Sequence, residues 1–195
     1  MSKRKISLER KTRETKIGIR LNLDGTGKFE IDTGIPFFDH MLSGFAKHGK
    51  FDLKLKARGD LQVDEHHTVE DTGIALGASL LQALDDKKGI KRFGYAYCPM
   101  DESLALAAVN VSGRPYLHFN VDFQSQKREK LNPALIEEFM RGFSSESRIT
   151  LHINLIYGKN NHHIMESIFK ALGLALDMAT QIDSRVKTIP STKGS

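Results

Sequence analysis

Asp64-Glu65-His66-His67-Thr68-Val69-Glu70-Asp71 and Asn160-Asn161-His162-His163-Ile164-Met165-Glu166-Ser167 are the two stretches that decide the fold. Laid over one another at an offset of 96 residues, they match both histidines and the glutamate. The agreement runs on downstream: Ala75-Leu76-Gly77 falls on Ala171-Leu172-Gly173, Leu80 on Leu176 and Ala83 on Ala179. Upstream an offset of 98 works better, placing Gly44-Phe45 on Gly142-Phe143, Leu53-x-Leu55 on Leu151-x-Ile153, and His40 on Glu138. Self-similarity over this length is a duplication, and the two-residue slip between offsets belongs to an intervening loop.

Hydrophobic periodicity reads the same way twice. In the first half, 6–10, 17–23 and 29–31 alternate like strands, 36–48 has helical spacing, 53–57 is a strand and about 65–85 a longer helix. In the second, strands are expected at 93–98, 104–111 and 116–123. Asn132-Pro133 then supplies an N-cap and first helical residue for a helix to Phe143. A strand at 149–156 and a helix at 162–179 complete it. The expectation is an α+β fold of two βββαβα halves, 1–90 and 91–195, related by a pseudo-two-fold axis. The two halves can set their sheets side by side with helices covering one or both faces, with a C-terminal tail from about 184.

Composition narrows the rest. With 195 residues, 39% apolar and 27% charged, the chain is neither disordered nor fibrous. No apolar run is long enough to cross a membrane, and Met1-Ser2-Lys3-Arg4-Lys5 does not begin like a signal peptide. The single cysteine, Cys98, excludes an internal disulfide and a four-cysteine zinc site, and fits a reducing compartment. A net charge of +5 favours an anionic partner such as a phosphate ester. The basic residues are scattered and do not interleave with aromatics along a strand, which argues against a nucleic-acid-binding module.

Chemistry is expected where each repeat places polar residues at the start of an apolar helix. On a helix His66 and Glu70 share a face, and so do His162 and Glu166. Adjacent histidines point about 100° apart, so His66 with His67, and His162 with His163, should serve different ligands. A single His-His doublet is commonly a solvated helix start; two copies with the same glutamate spacing point to metal binding. His40 alone would pass for a core histidine, but its counterpart in the repeat is Glu138, which can also be a ligand. Mixed nitrogen and oxygen ligation without sulfur suits manganese, iron or zinc, manganese first.

These residues are where the chain resembles imidazoleglycerol-phosphate dehydratases. The matching segments are Arg10-Lys11-Thr12-Arg13-Glu14-Thr15, Phe38-Asp39-His40-Met41-Leu42, the two histidine stretches from Asp64 and from Gly158, Pro99-Met100-Asp101-Glu102, Ser112-Gly113-Arg114-Pro115-Tyr116 and Pro190-Ser191-Thr192-Lys193-Gly194. The resemblance implies a cytoplasmic enzyme of histidine biosynthesis that dehydrates imidazoleglycerol phosphate to imidazole-acetol phosphate. It also implies two Mn2+ per site, a homo-oligomer of 24 subunits with sites at subunit interfaces, and no nucleic-acid or membrane partner. The ligands it carries over are His40, His66, His67, Glu70, His162, His163 and Glu166. Many relatives have histidine where this chain has Glu138; Glu138 is retained as a ligand because the repeat sets it against His40, with His152 as the alternative.

The reaction implied needs a metal, because the hydrogen removed is not beside a carbonyl. A metal on the imidazole favours loss of the ring proton, and the imidazolate can then expel the neighbouring hydroxyl to give a diazafulvene-like intermediate. The resemblance assigns the acid/base work to Glu14. For the phosphate, Arg92, Arg114 and Lys193 are candidates, with Ser191 and the backbone N–H groups of 191–194 forming a clamp and lid. A metallohydrolase would share the metals and the basic contacts, but not the seven ordered motifs.

Overall fold

The computed structural model describes residues 4–125 and 130–191. The first half contains β1 (Lys5–Lys11), β2 (Thr15–Asn22), β3 (Phe29–Asp32), α1 (Pro36–His48), β4 (Asp52–Gly59) and α2 (His66–Leu84). The second contains β5 (Phe93–Met100), β6 (Ser103–Asn110), β7 (Tyr116–Asn120), α3 (Ala134–Ser147), β8 (Thr150–Tyr157) and α4 (Asn161–Thr180). Both halves are therefore βββαβα. Each forms a four-stranded sheet, in the order β1-β2-β4-β3 and β5-β6-β8-β7. A hairpin supplies two antiparallel strands, and a β-α-β crossover brings the fourth strand in parallel to the third.

The two sheets are separate and not side by side as the sequence suggested: no strand of one pairs with a strand of the other among the described residues. The helices join the halves. α2 packs on its own sheet and on α3 of the other half, and α4 packs on its own sheet and on α1. Strand alternation explains this layering. Ile17, Ile19, Leu21, Leu53, Leu55 and Ala57 point inward to the helices and are buried, while Lys16, Arg20, Lys54 and Lys56 line the outer face. The core between them is aromatic, with Phe38, Phe139 and Phe169 in mutual contact at centroid distances of 5.2–6.3 Å.

Two elements end elsewhere than their periodicity implied. β7 stops at Asn120 and not near Phe123, because Asn161 exchanges two hydrogen bonds with the backbone of Gln124 and draws that segment toward the start of α4. α3 starts at Ala134 with Pro133 at the N-cap position; the Asn132 side chain still accepts from Ala134 N–H at 3.1 Å. It runs on to Ser147, whose hydroxyl bonds the Phe143 carbonyl at 2.6 Å. Among the described residues no helix is long and apolar enough to cross a membrane.

The helix crossings depend on glycine. A Cβ at Gly77 would lie 2.4 Å from the Phe143 carbonyl oxygen, and one at Gly173 would lie 2.5 Å from that of Phe45. These are equivalent contacts in the repeat, each between the second helix of one half and the first of the other. Overpacking a backbone-to-backbone contact costs about 1–3 kcal/mol. Gly77→Ala and Gly173→Ala should each lower the midpoint of denaturant-induced unfolding accordingly, whereas Gly18→Ala, where an added methyl meets nothing within 4 Å, should not.

Candidate metal centre and phosphate pocket

The α1–α4 crossing brings three sequence-predicted residues together. His40 comes from the first turns of α1, and His162 and Glu166 from the first turns of α4. Their ligand atoms all lie within 4.8 Å of one another, the one group of three such side chains among the described residues. Glu166 is oriented by division of labour between its oxygens. Oε1 accepts from the Lys170 ammonium at 2.7 Å, leaving Oε2 at 3.4 Å from His40 Nε2 and 3.2 Å from His162 Nε2. Burial pushes the Glu166 carboxyl up, but the Lys170 hydrogen bond and charge, aided by His40, outweigh it and hold the group below its ordinary value. A carboxylate kept ionised beside two imidazoles is a donor set that fits Mn2+.

The other half repeats the framework with fewer contacts. On α2, His66 Nε2 lies 3.6 Å from Glu70 Oε2. Glu138 holds the helix position equivalent to His40, because Gly142 abuts Glu70 and Ile74 as Gly44 abuts Lys170. Its side chain contacts Arg141 at 3.8 Å. His152 lies on β8, ring to ring with His118 and Tyr116 at 5.2 and 5.8 Å, apart from both helix starts. The second histidine of each doublet turns away from the first, as helical geometry requires. His67 lies 3.0 Å from Asp60 and 3.8 Å from Glu14. His163 lies 2.6 Å from Glu102 and 3.8 Å from Asp101.

Local structure fixes these placements. Asp64 Oδ1 accepts from His66 N–H at 2.8 Å, and Asn160 Oδ1 accepts from His162 N–H at 2.9 Å, so equivalent residues cap the starts of α2 and α4. Buried Asp71, one turn into α2, receives the Arg10 guanidinium at 2.8 Å and the Thr15 hydroxyl, tying the β1–β2 hairpin down. Glu14 sits at that hairpin's tip, its backbone N–H on Thr12 Oγ1 at 3.1 Å. In the second half Glu102, at the tip of the β5–β6 hairpin, accepts backbone N–H groups of Asn160 and Lys159 at 2.8 and 3.3 Å. The His163 hydrogen bond, with Asn160 next, pushes the Glu102 carboxyl down to about 2. The Asp60 hydrogen bond pushes His67 up, against partial desolvation, with Glu14 adding to the rise.

Arg92, Arg114 and Ser191 line one cavity together with Lys87. Arg92 has a positive φ of 72° and is held by Asn110 Oδ1 at 3.0 Å and by the Pro190 carbonyl, which fastens the C-terminal segment over the cavity. Lys193 lies outside the described residues. Lys87 was not among the residues singled out in the sequence, where it stands just past the end of a helix; its neighbour Lys88 pairs with Asp86 at 2.7 Å. Lys170 and Asp60 were missed too. Lys170 had an available signal, its i,i+4 spacing from Glu166.

The family model described as Imidazoleglycerol-phosphate dehydratase matches residues 33–176. The chain is 56% identical over 191 residues to the imidazoleglycerol-phosphate dehydratase of Thermoanaerobacter pseudethanolicus and 52% identical over 191 residues to that of Acetivibrio thermocellus, with 98% of each chain covered in both cases. Among solved structures, that from Pyrococcus furiosus superposes with a TM-score of 0.84 at 37% identity, covering 96% of this chain and 99% of the other. That from Staphylococcus aureus gives 0.82 at 39% identity, covering 92% and 99%. Sequence along the full length and fold in both halves agree: the chain belongs to the imidazoleglycerol-phosphate dehydratase family of enzymes.

Proposed function

We propose that the chain catalyses the Mn2+-dependent dehydration of imidazoleglycerol phosphate to imidazole-acetol phosphate in the cytoplasm, as a step of histidine biosynthesis. The carrying observation is the His40–His162–Glu166 group, a ready nitrogen/oxygen ligand set at the start of one member of a duplicated helix pair. His66, His67, Glu70, Glu138 and His163 complete the ligands for two ions. These residues would hold Mn2+, which when bound would supply Lewis-acid chemistry favouring loss of the substrate ring's N–H proton.

The chain's own groups do the rest. Glu14, 3.8 Å from His67 Nε2 on a hairpin pinned by Asp71, takes the side-chain proton. Arg92, Arg114 and Ser191, with Lys193 of the tail, hold the phosphate and so fix the carbon skeleton relative to Glu14. The two groups of ligands lie at different helix crossings, α1–α4 and α2–α3, which supports sites completed between subunits. The outer face of the second sheet supports the same reading. Phe93, Tyr95 and Tyr97 alternate along its edge strand β5 and stand more than half exposed, a patch that a 24-subunit homo-oligomer would cover.

The decisive assay follows imidazole-acetol phosphate formation by metal-stripped protein before and after Mn2+ is added. Activity should return in wild type, and Glu14→Gln should stay about 10²- to 10⁴-fold slower at equal Mn2+ loading; no product with any divalent metal would overturn the reading. Tyr97→Glu should give smaller assemblies by light scattering, with turnover lost in parallel. Imidazole must be neutral to ligate, and His67 holds its proton above the usual 6.5, so Mn2+ affinity should fall as pH drops through a range above that value. Titrations of Mn2+ binding across pH 5–9 check the sign: loss on acidification, recovery on return to alkaline pH.

A further inference from the structure

His67 and His163 are equivalent in the repeat, and each ring meets a carboxylate at the same nitrogen. Asp60 oxygens lie 3.0 and 3.2 Å from His67 Nδ1. Glu102 Oε2 lies 2.6 Å from His163 Nδ1. The two carboxylates are not equivalent. Asp60 follows β4, and its counterpart at the 98-residue offset is Gly158; Glu102 caps the β5–β6 hairpin, where β6 matches β2 at an offset of 88, and its counterpart there is Glu14. Two unrelated chain positions thus converge on one atom of one duplicated ring. Inheritance from a common half-sized ancestor does not produce that; a shared requirement on the ring does.

The requirement follows from imidazole chemistry. A neutral ring carries one N–H and one lone pair, and an ionised carboxylate can only accept. A carboxylate at Nδ1 therefore places the proton there and leaves the Nε2 lone pair free. In both rings Nε2 points to the opposite side, 3.8 Å from Glu14 in one and from Asp101 in the other. We propose that Asp60 and Glu102 are positioning residues, which hold His67 and His163 as Nδ1–H tautomers and aim each bare Nε2 away from the helix for a metal ion. This rests on the reading of both histidines as ligands.

Asp60 gives the cleaner test. Among the described residues its carboxylate is engaged by His67 alone, whereas Glu102 also holds the backbone at the start of α4. The assembled protein, labelled with ¹⁵N-histidine and stripped of metal, is examined by magic-angle-spinning NMR at pH 8.5, with His67 and His163 assigned through His67→Gln and His163→Gln. Wild type should show both rings protonated at Nδ1 and bare at Nε2. Asp60→Ala should move His67, and not His163, toward the Nε2–H form and weaken Mn2+ binding about 10- to 100-fold. Asp60→Glu, which restores a carboxylate, should recover the tautomer and part of the affinity. An Nε2–H His67 in wild type, or a tautomer unchanged in Asp60→Ala, overturns the proposal. Wild type with the expected tautomers but no affinity for Mn2+ would sink the metal reading and leave the assignment of Asp60 and Glu102 standing.

Discussion

Helices of opposite halves meet backbone to backbone where they cross, and the rest of the architecture follows from those contacts. Gly77 of α2 rides on the Phe143 carbonyl of α3, and Gly173 of α4 on the Phe45 carbonyl of α1. Side chains of ordinary size at either point would push the axes apart. With the axes close, α2 and α4 each bury one face on their own sheet and another on the partner half's helix, which explains why Val69, Leu76, Ile168 and Leu172 are almost wholly inaccessible. Neither half closes its core without the other. The same crossing sets the register of α1 against α4, and with it the 3.4 Å separation of His40 from Glu166 across two elements far apart in sequence.

Above the crossings, the starts of α2 and α4 must satisfy their unbonded N–H groups, and the chain uses that need to organise the site. Asp64 and Asn160 do the capping at equivalent positions. Each helix start also anchors the first hairpin of its own half, by a different route: Asp71 reaches outward from α2 to Arg10 and Thr15, while Glu102 reaches inward from the hairpin to the backbone before α4. The outcome is alike in both halves. A carboxylate at a hairpin tip, Glu14 or Asp101, is held 3.8 Å from an imidazole Nε2. Stability and chemistry here draw on the same few hydrogen bonds.

What could be read from sequence was what duplication writes twice. The βββαβα order, the histidine doublets and the pairing of His40 with Glu138 all came from superposing the chain on itself, because periodicity and spacing survive in both copies. What escaped has a single copy or acts at a distance. Asp60 lies seven residues before His67 in a turn, where an aspartate reads as ordinary turn chemistry. The shortened β7 depends on Asn161 bonding the Gln124 backbone 37 residues away, which no local pattern reports. The mutual placement of the sheets was misjudged for a related reason. Alternation says which face of a strand is buried, not whether a helix or another sheet buries it.

Duplication also left the two ligand groups electrically unlike. At the position where α4 has Lys170, α2 has Ile74. Lys170 neutralises Glu166 at 2.7 Å and is itself largely sheltered, so that group holds a buried carboxylate whose charge is already compensated. Among the described residues Glu70 has no such ammonium beside it, and its side chain is 41% exposed. Opposite them the substitution runs the other way, imidazole at His40 and carboxylate at Glu138. The α1–α4 group thus offers two imidazole nitrogens, one carboxylate and the Lys170 ammonium at 2.7 Å, while the α2–α3 side offers one imidazole and two carboxylates, with the Arg141 guanidinium 3.8 Å from Glu138. A divalent cation would meet more uncompensated carboxylate charge at the second set and a more firmly fixed carboxylate at the first. Copying one pattern therefore produced two histidine and carboxylate clusters of unlike charge and exposure, one fixed by a sheltered ammonium and the other open to solvent.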